Sequence, residues 1–209
     1  MEKFKLILIF CIFFALNLHA QKNILHLKVK LDTLSHQLDI SQKITFYNTS
    51  SDTLNKVYFH NWANSFKDNK TPLAKRFIEN GKKKFHFSDK EKRGYSKINT
   101  ILVNNIPTIV KELKDQPDII AIQLPEPIKA NDSVVISANY TVKLPNAKFT
   151  GYGKTKNGYH IRYWYLTPAV YHNNEWQTMS NLNIDDLFEN VADFTIDLNV
   201  PENYHVESN

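Results

Sequence analysis

The sequence predicts an all-β domain, a mostly antiparallel sandwich or saddle-like sheet structure with one short helix. Three observations carry this reading. Leu25, Leu27, Val29 and Leu31 alternate with His26, Lys28, Lys30 and Asp32. Leu38, Ile40, Ile44 and Phe46 alternate with Asp39, Ser41, Lys43 and Thr45, and Val134, Ile136, Ala138, Tyr140 and Val142 fall on one side of a third run. Successive strand side chains point to opposite faces, so a period of two marks a half-buried strand. Polar and Pro-containing clusters separate the runs, and one stretch alone changes to a helical period.

Residues 1–20 read as a signal peptide. Lys3 and Lys5 give a positive start, Leu6 to Leu16 is nearly unbroken apolar, and Leu18-His19-Ala20 offers a cleavage site before Gln21. The apolar run is short for a membrane span, so no stable span is expected. Export follows as the expectation, to a periplasmic, outer-surface or extracellular location. Cys11, the single cysteine, sits inside this run without the small residues a lipid-acceptor site needs. Its removal leaves a mature chain that can form no disulfide.

The remaining 21–209 segment is read as one β domain, long enough for a sizeable core. Its first strand is Leu25–Leu31. After a turn at Asp32, Thr33 and Ser35, two extended runs, Leu38–Phe46 and Leu54–Trp62, flank Asn48-Thr49-Ser50-Ser51-Asp52 and predict an antiparallel hairpin. Thr71 as N-cap, Pro72 at the first helical position and Gly81 just past the end predict a helix burying Leu73, Ala74, Phe77 and Ile78. Tyr95–Val103 is a strand ending at Asn104-Asn105, and Ile106–Val110 follows. Ile119–Leu124 is closed by Pro125 and Pro127, and Asn131-Asp132 turns the chain into Val134–Val142. Pro145 ends that strand, Gly151, Gly153 and Gly158 mark a flexible loop, and Tyr159–Tyr165 is an extended aromatic run. Trp176 lies in the connection to a last alternating strand, Phe194 to Val200.

Charge excludes one function class. Loss of Glu2, Lys3 and Lys5 takes the formal net charge from +5 to +4. The excess sits in Lys82-Lys83-Lys84 and Lys90 to Arg93, too short a stripe for a nucleic-acid surface. Asn48, Asn131 and Asn139 each begin an Asn-x-Ser/Thr sequon, which matters only on a eukaryotic secretory route. His26, His36, His60, His86, His160, His172 and His205 are scattered singly, whereas a zinc site needs three converging protein ligands. Adjacent Asp185 and Asp186 suit a solvated or capping pair better than a catalytic dyad. No nucleophile elbow, Cys-His pair or phosphate loop is present. We therefore assign no catalytic and no metal-ligating residue to this chain.

Five blocks, in order, resemble a known family. Tyr58-Phe59-His60-Asn61-Trp62-Ala63-Asn64-Ser65-Phe66 resembles the "fhlwpNay" stretch of bacterial M1-family, aminopeptidase N-like metallopeptidases. Thr71–Gly81 resembles the helix after it, and Leu124–Leu144 the strand pair that follows. Trp164-Tyr165-Leu166-Thr167-Pro168-Ala169-Val170-Tyr171 with Trp176 resembles the "W-y-P-k-P-A-v-Y-D…W" segment. Asp193–Asn209 resembles the family's "dy-x-i-x-i-x-v-P-x-n-y-x-v-x-s-N" stretch, after which the family pattern continues into another strand and then the catalytic domain. The resemblance implies the N-terminal β domain of a multi-domain zinc peptidase, with the zinc held in a downstream catalytic domain by a His-Glu-x-x-His helix. This chain contains no such motif; His205-Val206-Glu207 is the nearest approach.

The resemblance further implies a non-catalytic domain that needs no cofactor itself. It would help shape the channel for a peptide substrate and pack on the downstream zinc domain of the same polypeptide, which makes this chain a fragment of a secreted enzyme. The family's amine-anchoring glutamine falls at Tyr163, beside Arg162, and neither is a neutral amide acceptor. Arg162, Tyr163 and Tyr165 are the substrate-channel candidates, with Trp164 turned the other way by strand alternation. The bland alternative for these aromatics is sheet core with one exposed face. A different class of reading is a free-standing secreted β-sandwich that binds a ligand or partner.

Overall fold

The computed structural model describes residues 21–184 and 186–208. The signal-peptide expectation over 1–20 and the carboxylate of Asp185 lie outside the described residues.

The alternating runs form strands with the predicted faces. β1 (Asn23–Asp32) and β2 (Gln37–Tyr47) pair antiparallel, from Ile24 opposite Thr45 to Asp32 opposite Gln37. The turn between them is held by Asp32, whose carboxylate accepts from Leu34 N at 2.8 Å and from Ser35 Oγ at 2.6 Å. His36 closes it in the left-handed region, with φ of 57°.

The expected hairpin between β2 and β3 (Leu54–His60) does not form. β2 pairs instead with β8 (Ser133–Lys143), while β3 pairs with β7 (Gln116–Ile128) in a second sheet. Both β2 and β3 carry one apolar face, and setting them in facing layers buries both faces against each other. Asn48 redirects the chain between layers. Its buried amide donates to Asp52 O, Ile128 O and Lys129 O, and its Oδ1 accepts from Ser50. This sequon asparagine is therefore a structural corner.

The first sheet has the order β14-β1-β2-β8-β4-β5, with β4 spanning Tyr95–Val103, β5 Ile106–Pro107 and β14 Ala192–Asn199. The second has the order β11-β3-β7-β6, with β6 spanning Val110–Leu113 and β11 Thr167–Pro168. The predicted run Ile106–Val110 is thus split. Pro107, which has no N–H to donate, ends β5, and the chain crosses to the second sheet as β6. The core lies between the sheets, where Leu27, Ile40, Ile44 and Tyr140 join Val57, Phe59, Ile120 and Ile122 in one buried cluster. Gln42 is the polar residue within it. Its amide donates to Leu166 O at 2.7 Å and its oxygen accepts from the Tyr140 hydroxyl, so burial leaves its amide bonded.

β7 runs on through Pro125 and Pro127 to Ile128, where the sequence predicts a stop at Leu124. Both prolines fall inside a register shift, since Lys56 faces Gln123 and Leu54 faces Ile128. β6 no longer pairs with β7 beyond Ile122, so the missing N–H groups interrupt no regular ladder.

The helix α1 (Pro72–Glu79) forms as predicted, with Thr71 Oγ1 accepting from Ala74 N at 3.2 Å. Leu73, Ala74 and Phe77 are buried, but Ile78 is 40% exposed. At about 100° per residue Ile78 sits at the border of the arc the other three define.

The glycine segment is tightly packed at Gly153 and open around Gly151 and Gly158. Short strands β9 (Gly153–Lys154) and β10 (Tyr159–His160) pair, and a Cβ on Gly153, where φ is 114°, would lie 1.9 Å from Pro145 O. The extended run expected to Tyr165 stops at His160, and Tyr163 has a φ of 54°. Trp176 lies on a hairpin, β12 (Val170–His172) with β13 (Glu175–Gln177), turned by Asn173 and Asn174 at positive φ. β14 closes the first sheet and pairs parallel with β1. Among the described residues no helix is long and apolar enough to cross a membrane.

Candidate functional site

The motif at the end of β3 builds a buried polar corner and one wall of a cavity. After His60, Asn61 N donates to Asp118 O at 2.7 Å, and residues Trp62–Phe66 form a 3-10 turn. Ser65 Oγ donates to Trp62 O at 2.7 Å and Asn64 Nδ2 to Pro117 O at 2.7 Å. These bonds let a run rich in polar side chains lie in the interior.

The same corner staples a distant stretch of chain. Asp118, wholly buried, accepts from Ser180 Oγ at 2.9 Å and from Asn181 N at 2.8 Å. Burial pushes its carboxyl above the ordinary range against these bonds. Trp62 Nε1 donates to Met179 O at 2.8 Å, and Met179 N donates to His60 Nε2 at 3.3 Å. Burial holds the His60 imidazole down at about 4, so the ring is neutral at physiological pH.

Above this corner lies a cavity of about 220 Å³, lined by Trp62, Phe66, Tyr152, Arg162, Tyr163 and Asp186 among others. The Trp62 and Tyr163 rings meet edge to face, with centroids 4.9 Å apart. Tyr163 donates its hydroxyl to the Asp186 carboxylate. Burial, then that carboxylate, pushes the phenol above its usual value. The Arg162 guanidinium stands 5.5 Å from the Tyr163 ring centre and reaches Thr150 O at 3.4 Å. The site offers aromatic walls, a cation and a carboxylate, which suits a small ligand with both apolar and charged parts.

Two of the three predicted channel residues, Arg162 and Tyr163, therefore share this cavity. Tyr165 does not join them. Its ring packs on Trp164 at 5.2 Å and Phe194 at 5.7 Å, and burial followed by Glu189 pushes its hydroxyl up to about 12. The left-handed backbone at Tyr163 breaks the alternation that would have put Tyr163 and Tyr165 on one face. Sequence reasoning did not pick Trp62, Phe66 or Tyr152 for this site. Their only local mark is aromatic character, and what joins them is tertiary.

Solved structures similar to this chain include M1 zinc metallopeptidases. A two-domain M1 zinc metallopeptidase bound to L-tryptophan matches 60% of this chain and 21% of its own, at 8% identity and a TM-score of 0.37. The M1 zinc metallopeptidase of Deinococcus radiodurans matches 60% and 20%, at 11% identity and a TM-score of 0.33. Leukotriene A4 hydrolase of Saccharomyces cerevisiae matches 57% and 15%, at 8% identity and a TM-score of 0.31. The chain thus spans about one fifth of the length of the metallopeptidase structures it matches. No family model and no curated protein matches it.

Among the described residues, no three His, Cys, Asp or Glu side chains gather as a metal site. His205 Nε2 stands 4.0 Å from the Glu207 carboxylate, and both are in solvent. His36 has a structural setting: Nδ1 meets the Tyr159 hydroxyl at 2.8 Å and Lys154 Nζ approaches Nε2. That cluster pins the β9–β10 hairpin to the β1–β2 turn.

Proposed function

We propose that this chain is the non-catalytic N-terminal domain of an exported M1-like metallopeptidase, with zinc and catalysis in a downstream domain of the same polypeptide. In this reading Arg162 and Tyr163 face the peptide substrate, and the 220 Å³ cavity forms part of the channel wall. Residues 1–20 direct export and are removed. The reading is supported by one convergence: Trp62, from the first family-like block, meets Tyr163, at the entry to the fourth, across a single cavity. Tyr163 stands where the family places a neutral glutamine and Arg162 beside it brings a permanent cation, so substrates with a free amine close to this wall are disfavoured.

The test uses the polypeptide encoded by the open frame that runs through this segment. Zinc-dependent peptide hydrolysis is expected from it, slower on aminoacyl anilides, which carry a free amine, than on amine-blocked peptides. Arg162→Gln is expected to change KM by roughly three- to tenfold with a smaller change in kcat, the signature of a residue that binds rather than reacts. A frame with no His-Glu-x-x-His downstream, or kinetics indifferent to Arg162, removes the reading. Export is checked separately by N-terminal sequencing, which should begin at Gln21; an intact Met1 on membrane-bound material contradicts it.

A further inference from the structure

The loop that follows α1 joins a dense group of cations to one outward aromatic ring. From Lys75 to Arg93 there are eight Lys and Arg and three acids, an excess equal to the +5 of the whole chain. The acids are taken locally. Glu79 pairs with Arg76 at 3.5 Å and Asp89 with Lys92 at 2.6 Å, and Glu91 adjoins Lys92 in the 3-10 turn Lys90–Lys92. Lys75, Lys82, Lys83, Lys84 and Lys90 are exposed, with no ion pair among the described residues. The chain packed against the loop brings no acid either. Phe85 meets Phe149 edge to face with centroids 5.0 Å apart, and Asn146 N donates to Lys92 O at 2.9 Å. Both contacts come from a stretch, Ser133 to Asn174, that holds no Asp or Glu.

Phe85 is sealed in the core, while Phe87, two residues on, is 76% exposed. The backbone on both sides of Phe87 is braced. Arg93 Nη2 donates to His86 O at 3.1 Å and to Ser88 O at 2.9 Å, and its Nε donates to Ser88 Oγ at 3.2 Å. Ser88 Oγ in turn donates to Phe85 O at 2.7 Å. Phe87 N donates to Lys83 O at 3.3 Å, which keeps the ring beside the lysine run. At the start of that run Gly81 N donates to Ile78 O at 2.9 Å and Lys82 N to Phe77 O at 2.7 Å, so the part-exposed Ile78 stands next to it. A large apolar ring held out in water by its own loop is set for a partner without further ordering.

We infer that the loop from Gly81 to Arg93 is a peripheral contact site for an anionic phospholipid surface. Phe87 enters the boundary between headgroups and acyl chains, Ile78 lies against it, and Lys82, Lys83, Lys84 and Lys90 meet headgroup phosphates. A small apolar anchor or a short basic cluster is weak alone, and the two together hold a protein reversibly on a bilayer. Single-stranded nucleic acid is held by a series of stacking rings, and between Lys82 and Arg93 Phe87 is the one exposed ring. The inference goes beyond the proposed function and does not depend on it.

The experiment uses residues 21–209, which hold every described strand and helix, because the apolar run Leu6–Leu16 would bind lipid by itself. The protein is sedimented with vesicles of mixed phosphatidylglycerol and phosphatidylcholine, and with vesicles of phosphatidylcholine alone. Binding to the mixed vesicles is expected, weakened by about tenfold or more at about 0.5 M salt, with none to the neutral ones. Phe87→Ser should weaken it by about fivefold, and Lys82→Gln with Lys83→Gln and Lys84→Gln by about tenfold or more. These side chains are exposed, so cooperative melting of both variants should match that of the parent. Equal binding to neutral vesicles, or indifference to the lysine variant, overturns the proposal. Indifference to Phe87→Ser leaves only a charge attraction that any polyanion would meet, and overturns it as well. Tighter binding of a single-stranded oligonucleotide or of polyglutamate than of the mixed vesicles assigns the loop to a soluble polyanion and does the same. No zinc or downstream domain enters these readouts, so their failure and that of the proposed enzyme are told apart.

Discussion

β1 and β14 are written in the same period, pair in register, and differ almost completely in what they bury. Leu25, Leu27 and Val29 are sealed in the core, while Phe194, Ile196 and Leu198, their neighbours one strand over, lie open to water. Alternation decides which side of a strand is apolar. Whether that side is buried depends on how far the opposing sheet reaches. Here the second sheet, with four strands, covers less than the first, with six.

The sharpest test of this difference is a matched pair of truncations. Leu27→Ala should lower the unfolding free energy by about 2–5 kcal/mol, because the core closes only partly over the lost atoms. Ile196→Ala, directly opposite it in register, should cost only about 1 kcal/mol, since at 47% exposure about half of its area stays in water on folding. Urea unfolding of both variants checks this, and equal losses would show that β14 is covered in solution.

His60 carries the comparison from apolar to polar burial. At 1% exposure its imidazole is held down at about 4, below the ordinary 6.5 that the unfolded chain keeps. The stabilisation is complete above pH 6.5 and is lost as pH falls to about 4, because the unfolded chain binds a proton the folded one refuses. That shift amounts to about 3 kcal/mol. Asp118 acts in the opposite sense, since burial raises its carboxyl and acid relieves it. The clean readout is therefore the difference between wild type and His60→Gln across that range, which cancels the Asp118 contribution. A parallel pH dependence in the two proteins would mean that His60 is solvated.

The clearest surface effect belongs to β14. Phe194→Ser with Ile196→Ser should cost about 2 kcal/mol, below the upper half of the range expected for the core truncation Leu27→Ala, while reducing binding of a hydrophobic dye. It should also reduce any self-association seen by sedimentation. Undiminished dye binding would place the chain's main apolar surface elsewhere, around Phe87 or Ile109.

Strands, helix and turns were legible wherever the deciding physics is local. The alternation in β1, β2 and β8 names the buried faces residue by residue, and Thr71, Pro72 and Gly81 bracket α1 because capping is satisfied within one turn of backbone. Asn104-Asn105 and Asn131 mark turns because asparagine tolerates the positive φ they adopt. What the sequence could not decide is which strand meets which. β2 and β3 are neighbours in the chain and read as a hairpin, yet β2 pairs with β8, some 86 to 106 residues on, and β3 with β7, some 59 to 74 residues on. Pairing is chosen by burying two apolar faces at once, a condition spread over the whole molecule. The aromatic cavity has the same origin: Trp62 and Tyr163 are far apart in the chain and meet only in the folded packing, edge to face with centroids 4.9 Å apart. Tyr163 and Tyr165 were placed together by a strand period that one left-handed residue cancels. Local periodicity determines the faces of this protein; only tertiary packing, through burial and long-range backbone pairing, decides which faces touch and which, as on β14, are left open.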